Sequence, residues 1–507
     1  MGLAIVHSRA SVGVEAPEVT VEVHISNGLP GFSLVGLPET TVKEAKDRVR
    51  SAIINSRFEF PAKRITVNLA PADLPKEGGR FDLPIALGIL AASEQIPEDK
   101  LKQREFIGEL ALSGELRKVK GVLPAALAAM KSQRCLIVPH INGDQAALVG
   151  KETHKSAQSL LGVCAELCGQ QTLELFQTKT KFSEKALTRD LQDIIGQQQG
   201  KRALEIAAAG NHNLLFLGPP GTGKTMLASR LCDLLPEMTE SEAMETASVA
   251  SLTQQEINEH NWKQRPFRSP HHSSSMAALV GGGSIPRPGE ISLAHNGLLF
   301  LDEMPEFERK VLDSLREPLE SGEIIISRAQ GKTRFPARFQ LVGALNPSPT
   351  GYYEGSHTRT NPQIILRYLN RLSGPLLDRF DMSIEIPVLP KGVLAEGGDR
   401  GEPTSVVKQR VEVARERMLQ RSGSVNALLG SREVERYCPL EKVDAQFLET
   451  ALHRLGLSIR AYHRIIKVAR TIADLEGSHQ IAKPHLAEAL GYRAMDRLLK
   501  QLTLQAV

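Results

Sequence analysis

Eight consecutive residues constrain this chain more than any others: Gly218, Pro219, Pro220, Gly221, Thr222, Gly223, Lys224 and Thr225. They satisfy G-x-x-x-x-G-K-[ST] at every fixed position, and the flanking residues agree with the motif. Residues 213–217 (NLLFL) read as a short buried strand, and residues 226–235 have helical spacing. Strand, glycine-rich loop and helix are what a phosphate cradle requires. The glycines let backbone N–H groups turn inward onto phosphate oxygens, and the helix N-terminus adds partial positive charge. In this pattern Lys224 reaches the β- and γ-phosphates of ATP and Thr225 holds Mg2+.

A second element answers the first. Residues 297–303 (GLLFLDE) are an apolar run ending in two carboxylates, Asp302 and Glu303. The run reads as a buried parallel strand, and α/β sheets place their chemistry at the C-terminal ends of such strands. Asp302 is the expected partner of Mg2+, through water, and Glu303 the expected general base for the attacking water. Such a run is weak evidence alone and strong evidence downstream of a phosphate loop.

The rest divides around this core. The length of 507 residues corresponds to roughly three domains at ~150 residues each. Residues 1–172 alternate strands (20–25, 64–69) with helices (42–55, 82–92, 122–130), and the second helix is apolar nearly all round. Residues 173–189 form a polar linker, 190–390 the core, and 391–507 a helical lid. In the lid, helices are expected at 406–421, from 457 onward and at 483–502. Arg464, Lys467 and Arg470 read there as a solvated basic face, and Lys76, Arg80 and Arg117 as scattered solvated charges.

Two stretches within the core read as insertions. Residues 266–289 look like glycine-rich loop rather than core and contain His271 and His272; a hydrogen-bonding role is favoured there over a metal. Residues 323–338 read as a β-hairpin turning near Gln330 and Gly331. The hairpin carries Arg328, Lys332, Arg334 and Arg338 against Glu323, a charge balance suited to a phosphate backbone. A solvated hairpin tip is the alternative.

Composition narrows the setting. Hydrophobic content of 41% and charged content of 24% are ordinary for globular chains, and a net charge of +4 permits a nucleic-acid partner without demanding one. Five cysteines, with no C-x-x-C, suggest neither a disulfide framework nor a zinc ribbon; Cys164 and Cys168 read as two buried thiols on a helix. No signal peptide and no membrane span are expected, and a cytoplasmic location follows.

Several phrases carry a resemblance. The core is similar to AAA+ ATPases, and RPFRSPHH, RPGEISLAHNG, LFLDE and LLDRFD resemble the magnesium-chelatase-like, helix-2-insert subgroup. Residues 74–83 and 108–116 resemble the Lon protease domain. Its nucleophile and lysine positions here hold Arg80 and Leu123, so the resemblance implies a scaffold without proteolysis. Taken over essentially the whole chain, the sequence resembles the ComM/YifB family. The implied fold is α/β: a Lon-like N-terminal domain, a parallel-sheet AAA+ P-loop core with helix-2 and pre-sensor-1 hairpin insertions, and a helical lid. By the same resemblance Ile194, Ile195 and Gly196 line the adenine pocket. Asn346 is the sensor-1 amide, Arg379 the finger reaching a neighbour's nucleotide, and Arg460 the sensor-2 arginine. The alternatives are an Asn-Pro turn, a surface Arg–Asp pair and a surface arginine.

The family implies a homo-hexameric ring that migrates branches in DNA junctions, acting on single- and double-stranded DNA in natural transformation and homologous recombination beside recombination proteins, with no membrane partner. A chelatase-like ATPase remodelling a protein partner is the competing reading. Relatives often carry cysteines after the sensor-1 asparagine, where this chain has Pro347, Ser348 and Pro349.

Overall fold

The computed structural model describes residues 2–36, 44–74, 76, 78–149, 153–173, 175, 189–253, 261–283, 286–328, 331–351, 361–393 and 398–506. The N-terminal region folds around a seven-stranded sheet. Its strands are β1 (Gly2–Arg9), β2 (Glu18–Ser26), β3 (Gly31–Val35), β4 (Arg64–Ala70), β5 (Arg104–Phe106), β6 (Cys135–Pro139) and β7 (Lys155–Ala157), in the order β3-β4-β2-β1-β5-β6-β7. Along β2 the buried residues Val19, Val21, Val23 and Ile25 alternate with outward Thr20, Glu22 and His24. That period of two fixes the register against β1 and β4.

Helices α1 (Ala45–Asn55) and α2 (Asp82–Ala92) cover the buried face. All 11 residues of α2 are buried, as its unbroken apolar run requires. Gly88 is the close-approach point: a Cβ there would stand 2.5 Å from Val23 Cγ2. The first helix was expected from Val42, which lies outside the described residues. Helix α3 (Val122–Lys131) joins this domain to the next by sharing a core with Ala247, Met244 and Trp262.

Two sequence expectations fail in this domain. Lys76 and Arg80 are not solvated: Lys76 is fully buried, its ammonium donating to the carbonyls of Gly36 and Pro71, and Arg80 is 6% exposed. Nor are both thiols of the 164/168 pair buried. Helix α4 (Leu160–Leu167) buries Cys164, whose thiol is pushed up to about 12 by burial, and ends before the exposed Cys168.

The central region is a parallel five-stranded sheet. Its strands are β8 (Leu214–Leu217), β9 (Phe267–Arg268), β10 (Leu298–Leu301), β13 (Gln340–Leu345) and β14 (Met382–Glu385), ordered β9-β10-β13-β8-β14. Between β10 and β13 stands the hairpin of β11 (Glu323–Arg328) and β12 (Gly331–Pro336). Helices α5 (Gln198–Gly210), α6 (Lys224–Leu234) and α7 (Glu240–Ser251) flank the sheet. Strands β8, β10 and β13 are buried along their whole length, which explains apolar runs without alternation.

The segment at 266–289 departs from the loop expected of it. Phe267 and Arg268 join the sheet edge as β9, with Phe267 stacked on Phe300 at 6.1 Å between centroids, and Arg268 is tied to Glu290 at 2.6 Å. A short helix, Met276–Val280, and a two-residue ladder follow. The remaining glycines and prolines masked this order in the sequence.

The C-terminal region is helical: α8 (Thr404–Ser422), α9 (Lys442–Leu455), α10 (Ile459–Glu476), α11 (Lys483–Gly491) and α12 (Ala494–Ala506). Val407, Val411, Ala414 and Met418 of α8 and Ala461, Ile465, Val468, Ala469 and Ile472 of α10 face the core as their spacing requires. The single helix expected over 483–502 is instead two. The break docks on the sheet edge, where Ser383 N–H donates to Tyr492 O at 2.8 Å and Met495 N–H to Ser383 Oγ at 3.0 Å. The basic face expected on α10 is not solvated. Arg464 donates to Asp378 and to the Phe380 carbonyl, Lys467 to the Ala427 carbonyl, and Arg470 to the carbonyls of Ser478 and His479. No helix among the described residues is long and apolar enough to cross a membrane.

Candidate active site

The phosphate loop runs from the end of β8 into α6. Gly218 must be glycine, because a Cβ would stand 2.4 Å from the Ile386 carbonyl oxygen. Gly221 and Gly223 take φ of 78° and 91°, a region that side chains resist. Between them Thr222 Oγ1 donates to Pro219 O at 3.0 Å and tightens the turn across Pro220. Gln197 braces the loop from α5's N-terminus, its Nε2 donating to Thr222 O at 3.4 Å and to Pro387 O at 2.8 Å.

Lys224 folds over this loop. Its Nζ donates to the carbonyls of Gly218 and Pro219, each at 2.7 Å, and to Asn346 Oδ1 at 3.2 Å. Burial lowers the ammonium's pKa below the ordinary lysine value, while Asp302 and Glu303 work to raise it. Asn346 follows β13, so the expected sensor amide reaches the loop lysine directly.

Thr225 Oγ1 donates to Asp302 Oδ2 at 2.7 Å. A hydroxyl and a carboxylate meeting at the C-terminal end of β10 are oxygen donors that fit a hard dication. Asp302 Oδ1 also accepts the Glu303 N–H at 2.9 Å. Glu303 sits at φ 50°, ψ 44°, a left-handed conformation that costs a non-glycine residue on the order of 1–3 kcal/mol. Such a conformation persists only where the surrounding structure holds it.

One contact escaped the sequence reading. His272 Nδ1 lies 3.1 Å from Glu303 Oε2, and the His272 ring meets Phe307 edge-on at 6.5 Å between centroids. The residue leaves β9, the strand neighbouring β10, so the unrecognised strand is what carries His272 to Glu303. A β-propensity signal at Phe267 was available, but two residues are too few to call.

The residues expected beside the adenine divide. Ile194 is buried in the core cluster, 5% exposed, whereas Ile195 is half-buried against Gly398. Gly196 N–H donates to Asp399 O at 2.9 Å, which ties this segment to the link preceding α8.

Arg379 and Arg460 collect elsewhere. Arg379 pairs with Glu320, and its Nε is buried without a hydrogen-bond partner. Burial and then the cations Arg316, Arg460 and Arg464 hold its guanidinium below the usual arginine range. Asp378 beside it accepts from Arg464 at 2.9 Å and lies 3.7 Å from Arg460, whose side chain is 76% exposed. Among the described residues no hydrogen bond or ion pair links Arg379 or Arg460 to the phosphate loop; the two arginines share a separate face.

On the hairpin, Phe335, Ile324 and Ile326 are buried while Lys332 and Arg334 point outward on the opposite face. Arg334 is only loosely met by Glu323 at 3.9 Å. The side chain of Arg328 and the turn at 329–330 lie outside the described residues.

Residues 190–394 match the model for magnesium chelatase, subunit ChlI; residues 21–142 that for subunit ChlI of Mg-chelatase; and residues 401–493 that for the ChlI C-terminal region. The competence protein ComM of Haemophilus influenzae is 68% identical over 508 residues, covering 99% of this chain and 100% of the relative. The uncharacterized protein YifB of Escherichia coli is 60% identical over 502 residues, covering 99% of each. The magnesium-chelatase 38 kDa subunit of Rhodobacter capsulatus is 29% identical over 324 residues, covering 58% of this chain and 83% of the subunit.

Proposed function

The chain belongs to the ComM/YifB family of magnesium-chelatase-like AAA+ proteins, and from that premise we propose that it is a ring-forming ATPase that drives branch migration of DNA junctions. The observation that carries the DNA reading is the hairpin, whose outward face presents Lys332 and Arg334 from the same domain as the phosphate loop. The likeness to the Haemophilus influenzae competence protein supports a role in natural transformation and recombination.

The residues divide the work as follows. Lys224 exchanges its bonds to the Gly218 and Pro219 carbonyls for oxygens of the β- and γ-phosphates. Thr225 and Asp302 would hold magnesium, Asp302 through water, and the ion would supply positive charge to offset that of the phosphates. Glu303 accepts the proton of the attacking water, and Asn346 orients the water and the γ-phosphate. Arg379 acts on the nucleotide of a neighbouring subunit, since its own contacts lead away from the loop; a planar, permanent cation suits the developing charge. Arg460 shares its face. Closure into a homo-hexamer would bring each such face to the next loop. Ile195 and Gly196 flank the adenine, with Ile194 anchoring the segment in the core. The N-terminal domain is a Lon-like scaffold without a serine nucleophile: Arg80 and Leu123 stand at the dyad positions, both buried.

The test is the ATP hydrolysis rate with single-stranded, duplex and four-way-junction DNA, beside an Arg328/Lys332/Arg334→Ala chain. DNA stimulation that disappears in the triple variant supports the motor. A rate stimulated by protein partners and indifferent to every DNA favours the second reading, a chelatase-like remodelling ATPase, for which the likeness to the Rhodobacter capsulatus subunit speaks.

A further inference from the structure

Where the N-terminal domain meets the core insertion lies a cavity of about 380 Å3, apart from every residue assigned above to hydrolysis. Its volume is in the range of small-ligand sites. Among the described residues four cationic side chains line it, Arg80, Lys118, Lys120 and Arg287, against one carboxylate, Glu109. Even that carboxylate is shared, with Arg117 at 3.8 Å. The lining therefore carries an excess of positive charge drawn from two domains.

Backbone contacts tie the two walls of the cavity together. Gly121 N–H, next to Lys120, donates to Ser251 O at the end of α7, at 3.1 Å. Gly13, also in the lining, packs on the hairpin: a Cβ there would stand 2.7 Å from Thr333 Cγ2. Part of the wall is bare backbone, since Gly78 has φ 64° and a Cβ on it would meet nothing within 4 Å. Arg80 is 6% exposed, whereas Lys118, Lys120 and Arg287 are exposed. A pocket with a buried guanidinium, three solvent-facing cations and open backbone suits phosphate oxygens, which take charge-assisted hydrogen bonds from arginine and lysine alike.

We propose that this junction is an anion site, distinct from the phosphate loop, that binds the phosphate groups of a ligand. Those phosphates belong either to a nucleic-acid strand passing the hairpin or to a free phosphorylated molecule, and two arms of one experiment separate the sources. In the first arm, inorganic triphosphate is titrated calorimetrically into full-length Lys224→Ala protein, whose phosphate loop no longer competes. Binding is expected to persist there and to disappear on adding Lys120→Ala and Arg287→Ala, with the melting temperature unchanged because both side chains are exposed. The pair Lys118→Ala/Lys120→Ala, confined to the N-terminal domain, should act alike.

In the second arm, a labelled single-stranded oligonucleotide is bound to Lys120→Ala/Arg287→Ala protein across a salt series. Weaker binding, with the log–log salt slope reduced by about 1.4 for two lost phosphate contacts, identifies a strand as the source. Unchanged oligonucleotide binding beside lost triphosphate binding identifies a free phosphorylated ligand. Triphosphate and oligonucleotide binding that both survive the substitutions overturn the proposal. The triphosphate arm contains no DNA, so its outcome is independent of whether the chain is a DNA motor.

Discussion

Replacing His272 by alanine tests the proposal that Glu303, and not the histidine beside it, accepts the proton of the attacking water. His272 Nδ1 and Glu303 Oε2 are 3.1 Å apart, with side chains 35% and 53% exposed. A pair that open to solvent is worth at most about 1 kcal/mol, which converts to no more than about fivefold in rate. A true general base contributes far more, on the order of 10^2–10^4-fold. If Glu303 is the base, the histidine competes for the oxygen that must take the proton. His272→Ala should then raise kcat by up to about fivefold and leave the KM for ATP unchanged. Glu303→Gln should lose on the order of 10^2–10^4-fold while still binding ATP, and the double variant should match it. Steady-state phosphate release on the three chains is the assay. A loss of about a hundredfold or more in His272→Ala, beside a small loss in Glu303→Gln, would refute the assignment and make the histidine the base.

Three other outcomes follow from the geometry. Arg379→Ala removes an ion pair whose partner, Glu320, is already 64% exposed, so stability should change by less than ~1 kcal/mol while hydrolysis falls on the order of 10^3-fold; mixing it with Glu303→Gln chains should restore part of the rate, because each supplies what the other lacks. Burial pushes the Asp82 carboxyl up to about 6 from 3.8, against the opposing Arg48 bond at 2.7 Å. A raised carboxyl favours the fold when protonated, so that contribution is complete below about 4 and lost as pH rises through about 6. Denaturation of wild-type and Asp82→Asn chains should therefore diverge by up to about 3 kcal/mol in favour of asparagine between these limits. Gly343→Ala would place a Cβ 2.3 Å from Met304 Sδ and 2.9 Å from Leu215 Cδ1. It should cost about 1–3 kcal/mol of stability by overpacking. Turnover should fall with it, since Met304 adjoins Glu303, while ATP affinity is kept.

What the sequence discloses is what local backbone chemistry demands. The phosphate loop is legible because only glycine tolerates the φ values at 221 and 223 and the approach at 218. The strand ending at Asp302 is legible because full burial leaves an apolar run. What it conceals depends on partners far along the chain. His272 reaches Glu303 through a two-residue strand whose place in the sheet is set by Phe300 and Leu298. Arg464 and Arg470 look solvated on a helical wheel, yet carbonyls at 380 and 478–479 and the carboxylate of Asp378 bury them. The helix expected over 483–502 breaks because the sheet edge at Ser383 claims the Tyr492 carbonyl, an interaction invisible in the local pattern. Lys76 is hidden for the same reason, by carbonyls at 36 and 71.

The most direct measurement is conversion of a synthetic four-way junction to duplex products with ATP, with a non-hydrolysable analogue, and by the Lys332→Ala/Arg334→Ala chain. The account predicts conversion by the unaltered chain with ATP alone. It predicts that the hairpin variant hydrolyses ATP at the basal rate without converting the junction. Intact junctions in every mixture, with hydrolysis indifferent to DNA, would contradict it.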